Sequence, residues 1–171
     1  MNTEESTPNG RRYPRCDLGL LHRLIGDPEM TRYLGGPEAD DKIRVRHERY
    51  PAIGDTGRML VIVAERDRTS AGYWARTIDE GSTIWETGWS VLPAFQGQDI
   101  ATCGTALAIE RARDEDRYRF MDAYPSTENT ASNAICRKLG FTFLETQEFE
   151  YPPGNRMRCN DWRLDLFPSR E

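Results

Sequence analysis

The chain has 171 residues, with 28 acidic and 23 basic side chains and a formal net charge of −5. That length suits a single domain with a real core, and the acidic balance argues against nucleic acid as a partner, because phosphate neutralisation needs a basic face. Hydrophobic residues make up 37% and charged residues 30%, with 4 Trp, 7 Tyr and 6 Phe, which excludes wholesale disorder.

No apolar run approaches the roughly 20 residues that span a bilayer. Met1–Asn9 has neither a basic start nor an apolar stretch, so no signal peptide is expected and the expected compartment is the cytoplasm. Met1–Arg12 reads as a loose tail, with one domain expected over 13–171 and at most a strand stub at Arg11–Pro14. From Asp17, a capping residue, Leu18, Leu21, Leu24 and Ile25 share one helical face, and Gly26-Asp27-Pro28 ends the helix. Pro28–Leu34 is a short segment closed by Gly35-Gly36-Pro37. Glu38–Tyr50 is a second, highly charged helix, whose Arg44, Arg46, Glu48 and Arg49 read as a solvated face.

The pattern then changes period. Met59–Glu65 and Ala71–Thr77 read as strands, with a turn at Asp67–Ser70. Thr83–Leu92 alternates: Trp85, Thr87, Trp89 and Val91 share one face, Ile84, Glu86, Gly88, Ser90 and Leu92 the other. Asp99–Asp116 is a long helix with Ile100, Cys103, Leu107, Ala108 and Ala112 at helical spacing. Phe120–Tyr124 is a short strand. Asn129–Leu139 is a helix with Ala131, Ala134, Ile135 and Leu139 as its core stripe, closed by Gly140. Phe141–Tyr151 and Met157–Leu166 are the last strands. A meander leading into a strand–helix–strand unit gives a mixed sheet with helices on both faces. Cys16, Cys103, Cys136 and Cys159 are scattered and only His22 and His47 accompany them, so reduced thiols and no metal site are expected.

Three segments could carry chemistry. In Leu92-Pro93-Ala94-Phe95-Gln96-Gly97-Gln98-Asp99-Ile100-Ala101-Thr102 a strand leads through a polar turn into a long helix. Amides at a helix N-terminus point outward unpaired and the dipole adds positive potential, a ready site for phosphate; the segment also reads as an ordinary connection with one glycine. Glu86 stands in a strand rich in Trp. In an apolar cleft its carboxyl would titrate nearer neutrality and suit a general base; on an edge strand it would be a surface charge. Asn129 and Ser132 open the later helix, where Asn129 also reads as an N-cap.

Taken together, Glu86-Thr87-Gly88-Trp89-Ser90-Val91, Gln96-Gly97-Gln98-Asp99-Ile100-Ala101-Thr102 and Asn129 to Phe141 resemble the motifs of the GNAT acyl-CoA N-acyltransferases, particularly the ribosomal-protein-alanine branch. Gly26 to Gly36 resembles that branch's early helices. The resemblance implies an α/β fold with a mixed, mostly antiparallel sheet of about six to seven strands and helices on both faces. It implies acetyl transfer from acetyl-CoA to a primary amine, either a small molecule or a peptide N-terminus, by direct attack and without a metal. Gln96 to Thr102 would hold the pyrophosphate, chiefly through the amides of Gln98 to Thr102, and the backbone of Val91 and Leu92 would pair with the pantetheine arm. Asn129 would hydrogen-bond that arm, Glu86 would take the proton from the ammonium, and Ser132 would serve the departing thiolate.

Two residues depart from the family pattern. Asp99 stands where relatives carry glycine, and brings like charge to the phosphate loop. Its carboxylate could face outward, weaken cofactor binding or take the phosphate amides itself; outward or mildly weakening is expected. Cys136 stands where many relatives carry tyrosine, which removes one acid. These departures keep a second reading open: a catalytically degenerate protein of the same fold that binds a ligand or partner. Trp74, Trp85, Trp89, Tyr151 and Trp162 are available as aromatic walls for an acceptor or as core, with Trp74 and Tyr151 singled out for the acceptor. Neither a membrane nor nucleic acid is expected as partner, and monomer and homodimer both remain open.

Overall fold

The computed structural model describes residues 18–50, 56–64, 67–78, 82–151 and 153–168. The expected tail, the strand stub, Cys16 and Asp17 lie outside the described residues. The chain opens with α1 (Leu18–Ile25), which buries Leu20, Leu21 and Leu24. Gly26 follows because a Cβ there would lie 2.6 Å from the His22 carbonyl oxygen. Asp27 then makes the turn: its Oδ1 accepts from the amides of Glu29 and Met30 at 2.8 and 3.0 Å. Helix α2 (Asp40–Arg49) buries only Ile43; its acids lie in the first turn and its Arg46, His47 and Arg49 in the last, as the helix dipole favours. The two helices share a small core with Leu92. No helix among the described residues is long and apolar enough to cross a membrane.

Strands β1 (Gly57–Ala64), β2 (Asp67–Thr77) and β3 (Thr83–Ser90) form the expected meander. The boundaries differ: β1 starts at Gly57 rather than Met59, β2 at Asp67 rather than Ala71, and β3 ends at Ser90 rather than Leu92. Ala64 pairs with Asp67, so Asp67–Ser70 belongs to β2 rather than to a turn, and the connection is only two residues long. A 3-10 turn, Pro93–Phe95, leads to α3 (Ile100–Glu115), then β4 (Phe120–Ala123), α4 (Thr130–Lys138), β5 (Thr142–Glu150) and β6 (Arg156–Asp165). Among the described residues the sheet has six strands, in the order β1-β2-β3-β4-β6-β5. Only β3 and β4 run parallel; every other pairing is antiparallel.

The alternation in β3 holds. Trp85 pairs with Ala75 and Met121, and this face carries the main core with Ala108, Ile109, Ala112, Trp162 and Leu164. Glu86 pairs with Trp74 and Asp122 and belongs to the opposite face. The buried stripes of the helices differ from expectation. On α3 they are Gly104, Thr105, Ala108, Ile109 and Ala112, while Cys103 and Leu107 are exposed. Small side chains let the helix lie close to the sheet, and that selects the face. On α4 the buried residues are Asn133 and Cys136; Ala131 and Ala134 are exposed.

The α4 stripe is shifted because Asn133 is a polar anchor. Its Nδ2 donates to the carbonyls of Ser126 and Asn129 at 2.9 and 2.8 Å. Its Oδ1 accepts from Asn160 Nδ2 and from the indole of Trp162, at 2.8 and 2.9 Å. One buried amide thus ties α4 to β6 with all its common bonding positions used. Replacing it by leucine would leave the Trp162 indole and Asn160 Nδ2 without this acceptor, while the carbonyls of Ser126 and Asn129 would each lose one of two donors and keep a backbone amide. Asn133→Leu is expected to cost about 3 kcal/mol in urea unfolding, against less than about 1 kcal/mol for a conservative swap at exposed Ala134.

Candidate active site

Strands β3 and β4 pair at only two positions, Trp85–Met121 and Glu86–Asp122. Beyond them β3 continues along β2 as far as Ser90, while β4 ends at Ala123 and the chain turns away through Pro125, which has no amide hydrogen to offer. The strands therefore part, and a cavity of about 1700 Å³ runs along the opening. An extended chain could add itself to an edge exposed in this way.

At one end of the cavity stands the N-terminus of α3. Its first backbone bond runs from the Cys103 amide to the Asp99 carbonyl, so the amides of Ile100 to Thr102 have no acceptor within the helix. Gly97 has φ of 76° and Asp99 has φ of 59°, both left-handed. A glycine at 99 would take that conformation without strain, which gives the family's preference a physical reason. The Asp99 side chain does not cap the helix. It pairs with Lys138 Nζ of α4 at 2.6 Å, and this bond holds its carboxyl below the usual range. Gln96 Nε2 donates to the Val91 carbonyl at 2.9 Å and closes the turn between strand and helix.

Glu86 sits where the strands begin to part. Burial pushes its carboxyl up, and hydrogen bonds from Arg76 and Trp74 work against that rise. Arg76 Nη1 donates to Glu86 Oε2 at 2.8 Å. The neighbouring Asp122 is fully buried and receives two bonds from Arg163, at 2.8 and 2.7 Å, and one from the Tyr124 hydroxyl at 3.2 Å. Each central carboxylate is thus neutralised by an arginine from the strand on its outer side. Asp161 lies on the same face, buried, with Oδ1 lacking a hydrogen-bond partner among the described residues. Burial and the charge of Asp122 push its carboxyl up to about 6.

At the mouth, Tyr151 joins the β5–β6 hairpin to α2. Its hydroxyl accepts from Arg46 Nη2 at 2.8 Å and donates to Glu38 Oε1 at 3.2 Å, and Arg46 is itself paired with Glu38. Arg46 is therefore a partly buried link, not part of a solvated face as the charge pattern suggested. At the start of α4, Asn129 Oδ1 accepts the Ser132 amide at 3.0 Å, an N-cap that leaves Nδ2 with no bond among the described residues. Ser132 lines the cavity; Cys136 points into the main core, where burial pushes its thiol up to about 12.

Trp74, Glu86, Val91, Gln96, Gly97, Asp99, Ile100, Ala101, Thr102, Asn129, Ser132 and Tyr151 all line the one cavity. Gln98 and Leu92 do not. Gln98 is exposed; Leu92 is buried in the core beneath α1 and α2, and its carbonyl is taken by the Phe95 amide at 2.9 Å. The 3-10 turn at Pro93 removes Leu92 from the edge. Trp85 and Trp162 are core residues. Sequence reasoning missed Arg76, Asp122, Tyr124, Phe149, Asp161 and Arg163. The available signal was a second mid-strand carboxylate, in Phe120-Met121-Asp122-Ala123, one strand away from Glu86.

Asp161 carries a pH signature. A carboxyl raised by folding binds its proton more tightly in the folded state, so stability falls as pH rises from about 4 to 6 and stays lower above that. Asp161→Asn, which still accepts from Gln147, is expected to gain about 1–2 kcal/mol at pH 7 and almost nothing at pH 4 in urea unfolding.

The family model described as acetyltransferase (GNAT) domain matches residues 11–142. Solved structures share the fold. RimL, the ribosomal L7/L12 alpha-N-protein acetyltransferase, in complex with coenzyme A, has a TM-score of 0.70 at 18% identity, over 90% of this chain and 93% of that one. A ribosomal-protein-alanine N-acetyltransferase from Brucella melitensis has 0.71 at 22%, over 86% and 92%. The yncA protein of Salmonella typhimurium, with its cofactor acetyl-CoA, has 0.70 at 19%, over 90% of each chain. At these identities the likeness is one of fold alone. No curated protein matches the chain in sequence. The family match spans most of the length and includes the strand of Glu86, the anion-ready loop and the helix of Asn129, so the chain belongs to the GNAT acetyltransferase family.

Proposed function

We propose that the protein is an acetyl-CoA-dependent N-acetyltransferase whose acceptor is a primary amine, on a small molecule or a peptide N-terminus. One observation carries the reading: the amide-presenting end of α3 and the Glu86 carboxylate line the same cavity. Acetyl-CoA, when bound, supplies the acetyl thioester. The amides of Ile100 to Thr102 would hold its pyrophosphate, the amide of Val91 just past β3, whose carbonyl Gln96 holds, would meet its pantetheine arm, and Asn129 Nδ2 would donate to that arm. An ammonium cannot attack a thioester, so a proton acceptor is needed. Glu86, charged and partly buried beside the gap, would fill that role, directly or through a water. Ser132 would donate toward the thiolate. Trp74 and Tyr151 would flank the amine.

A second reading, binding without catalysis, is favoured by Asp99, a carboxylate within the phosphate loop. Lys138 argues against it by neutralising that charge. The two readings separate by calorimetry with acetyl-CoA and by thiol release across a panel of amines. Saturable binding with turnover supports the enzyme. Binding without thiol release from any amine, unrestored by Asp99→Gly, supports the second reading.

Two predictions follow from the arrangement. Glu86→Gln is expected to bind acetyl-CoA within about twofold of wild type and to lose about 10²–10³-fold in turnover. Lys138→Met is expected to weaken acetyl-CoA binding about three- to tenfold by leaving Asp99 unneutralised, and Asp99→Gly to tighten it by a similar factor. In the double variant the loss should disappear; equal losses in both backgrounds would show that Lys138 does not act through Asp99.

A further inference from the structure

Arg76 lies on β2 two residues after Trp74, so both project to the face of Glu86. Its guanidinium does more than pair with the carboxylate. The Cζ atom lies 4.6 Å from the centre of the Tyr124 ring and 5.2 Å from that of Phe149. The two rings are stacked at 5.8 Å. The cation is therefore in contact with both rings at once and is fixed by two contacts. Tyr124 is fixed in turn through its hydroxyl, which donates to Asp122, and Asp122 is held by Arg163.

Phe149 belongs to β5, four places from β2 in the sheet. In a flat sheet four places at about 4.8 Å each are about 19 Å, beyond what two facing side chains span. The contact exists because the β5–β6 hairpin curls back over this face, and Tyr151 at its end reaches α2 by the same curl. A carboxylate on a strand can rotate about its side-chain bonds. Tying Oε2 to a cation that two rings hold still fixes its plane. The charged groups on this face include Arg76 from β2, Asp122 from β4, Asp161 and Arg163 from β6, and Glu145 from β5, which pairs with Asp161 rather than with Glu86. Asp122 opposes charge on Glu86, Arg163 is committed to Asp122, and Arg76 is the cation that bonds Glu86 directly.

We propose that Arg76, gripped by the Tyr124 and Phe149 rings, is a positioning residue that holds the Glu86 carboxylate in place to receive the acceptor's proton, so that Phe149 of the β5–β6 hairpin works on Glu86 without touching it. This rests on the reading of Glu86 as proton acceptor. Without Arg76 the carboxylate faces burial and Asp122 with only the Trp74 hydrogen bond against them. It then keeps its proton to higher pH, and the acid limb of the rate profile moves up.

The test uses the full chain with 13C-labelled glutamate, the Glu86 resonance being assigned by its loss in Glu86→Gln. Arg76→Met, Arg76→Lys and Phe149→Leu are titrated by NMR. Calorimetry with acetyl-CoA and thiol release against pH with the primary amines that wild type accepts accompany the titration. Arg76→Met should move the Glu86 midpoint to higher pH. It should cut turnover at pH 7 about tenfold or more, with recovery at high pH and unchanged acetyl-CoA affinity. Phe149→Leu should move the midpoint the same way by less, although it does not touch Glu86, and Arg76→Lys should fall between. If Arg76→Met does not fold, Phe149→Leu carries the test. A midpoint equal to wild type in the variants, or turnover lowered equally at every pH, overturns the inference while acetyl-CoA still binds. Failure of wild type to bind acetyl-CoA overturns the proposed function instead, and does so whatever the Glu86 midpoint.

Discussion

Two rungs of parallel pairing, Trp85–Met121 and Glu86–Asp122, join the meander to the rest of the sheet. The first rung faces the core and the second faces the cavity. Trp85 and Met121 are both fully buried, so the join is secured by apolar packing beneath α3. Glu86 and Asp122 are carboxylates set side by side on the other face. Like charges at adjacent strand positions oppose pairing. The fold resolves the conflict by supplying Arg76 and Arg163 from the flanking strands. The gap opens immediately after this join. The place where the sheet is most economically held is therefore also where its backbone edge becomes available.

The elements were legible from periodicity because their apolar patterns are local. The alternation along Thr83–Leu92 assigned Trp85 and Glu86 to opposite faces, and the structure agrees. The helix stripes were less legible. On α3 the residues that read as apolar, Cys103 and Leu107, are exposed, while Gly104 and Thr105 are buried. Hydrophobicity ranks Leu107 above Gly104, but close approach of a helix to a sheet rewards the smaller side chain. On α4, nothing local marks Asn133 as buried, because its place depends on Trp162 and Asn160, nearly thirty residues later.

The site divides the same way. The phosphate loop and the helix of Asn129 are contiguous motifs, so a resemblance could mark them. The charge network is assembled from β2, β3, β4, β5 and β6, and no stretch of sequence contains more than a fragment of it. Arg46 shows the limit most plainly. Arg44, Glu48 and Arg49 around it are charged and exposed, and only the return of Tyr151 from the last hairpin makes it a structural link. Asp99 shows the opposite case. Its unusual position was visible at once, but its neutralisation by Lys138, 39 residues away, was not.

The small buried face of α3 makes that helix a lever. Gly104, Thr105, Ala108 and Ala112 fix how closely it lies against β2 and β3, while its first residue, Ile100, borders the cavity. Ile100 stands about 12 Å along the axis from Ala108, at 1.5 Å per residue. A tilt of about 5° pivoting at Ala108 would swing the amide-bearing end by about 1 Å over that length. Side-chain volume deep in the core and aim at the cavity are mechanically one quantity. A methyl group added far from any ligand could re-aim the helix end as surely as a change in the loop itself.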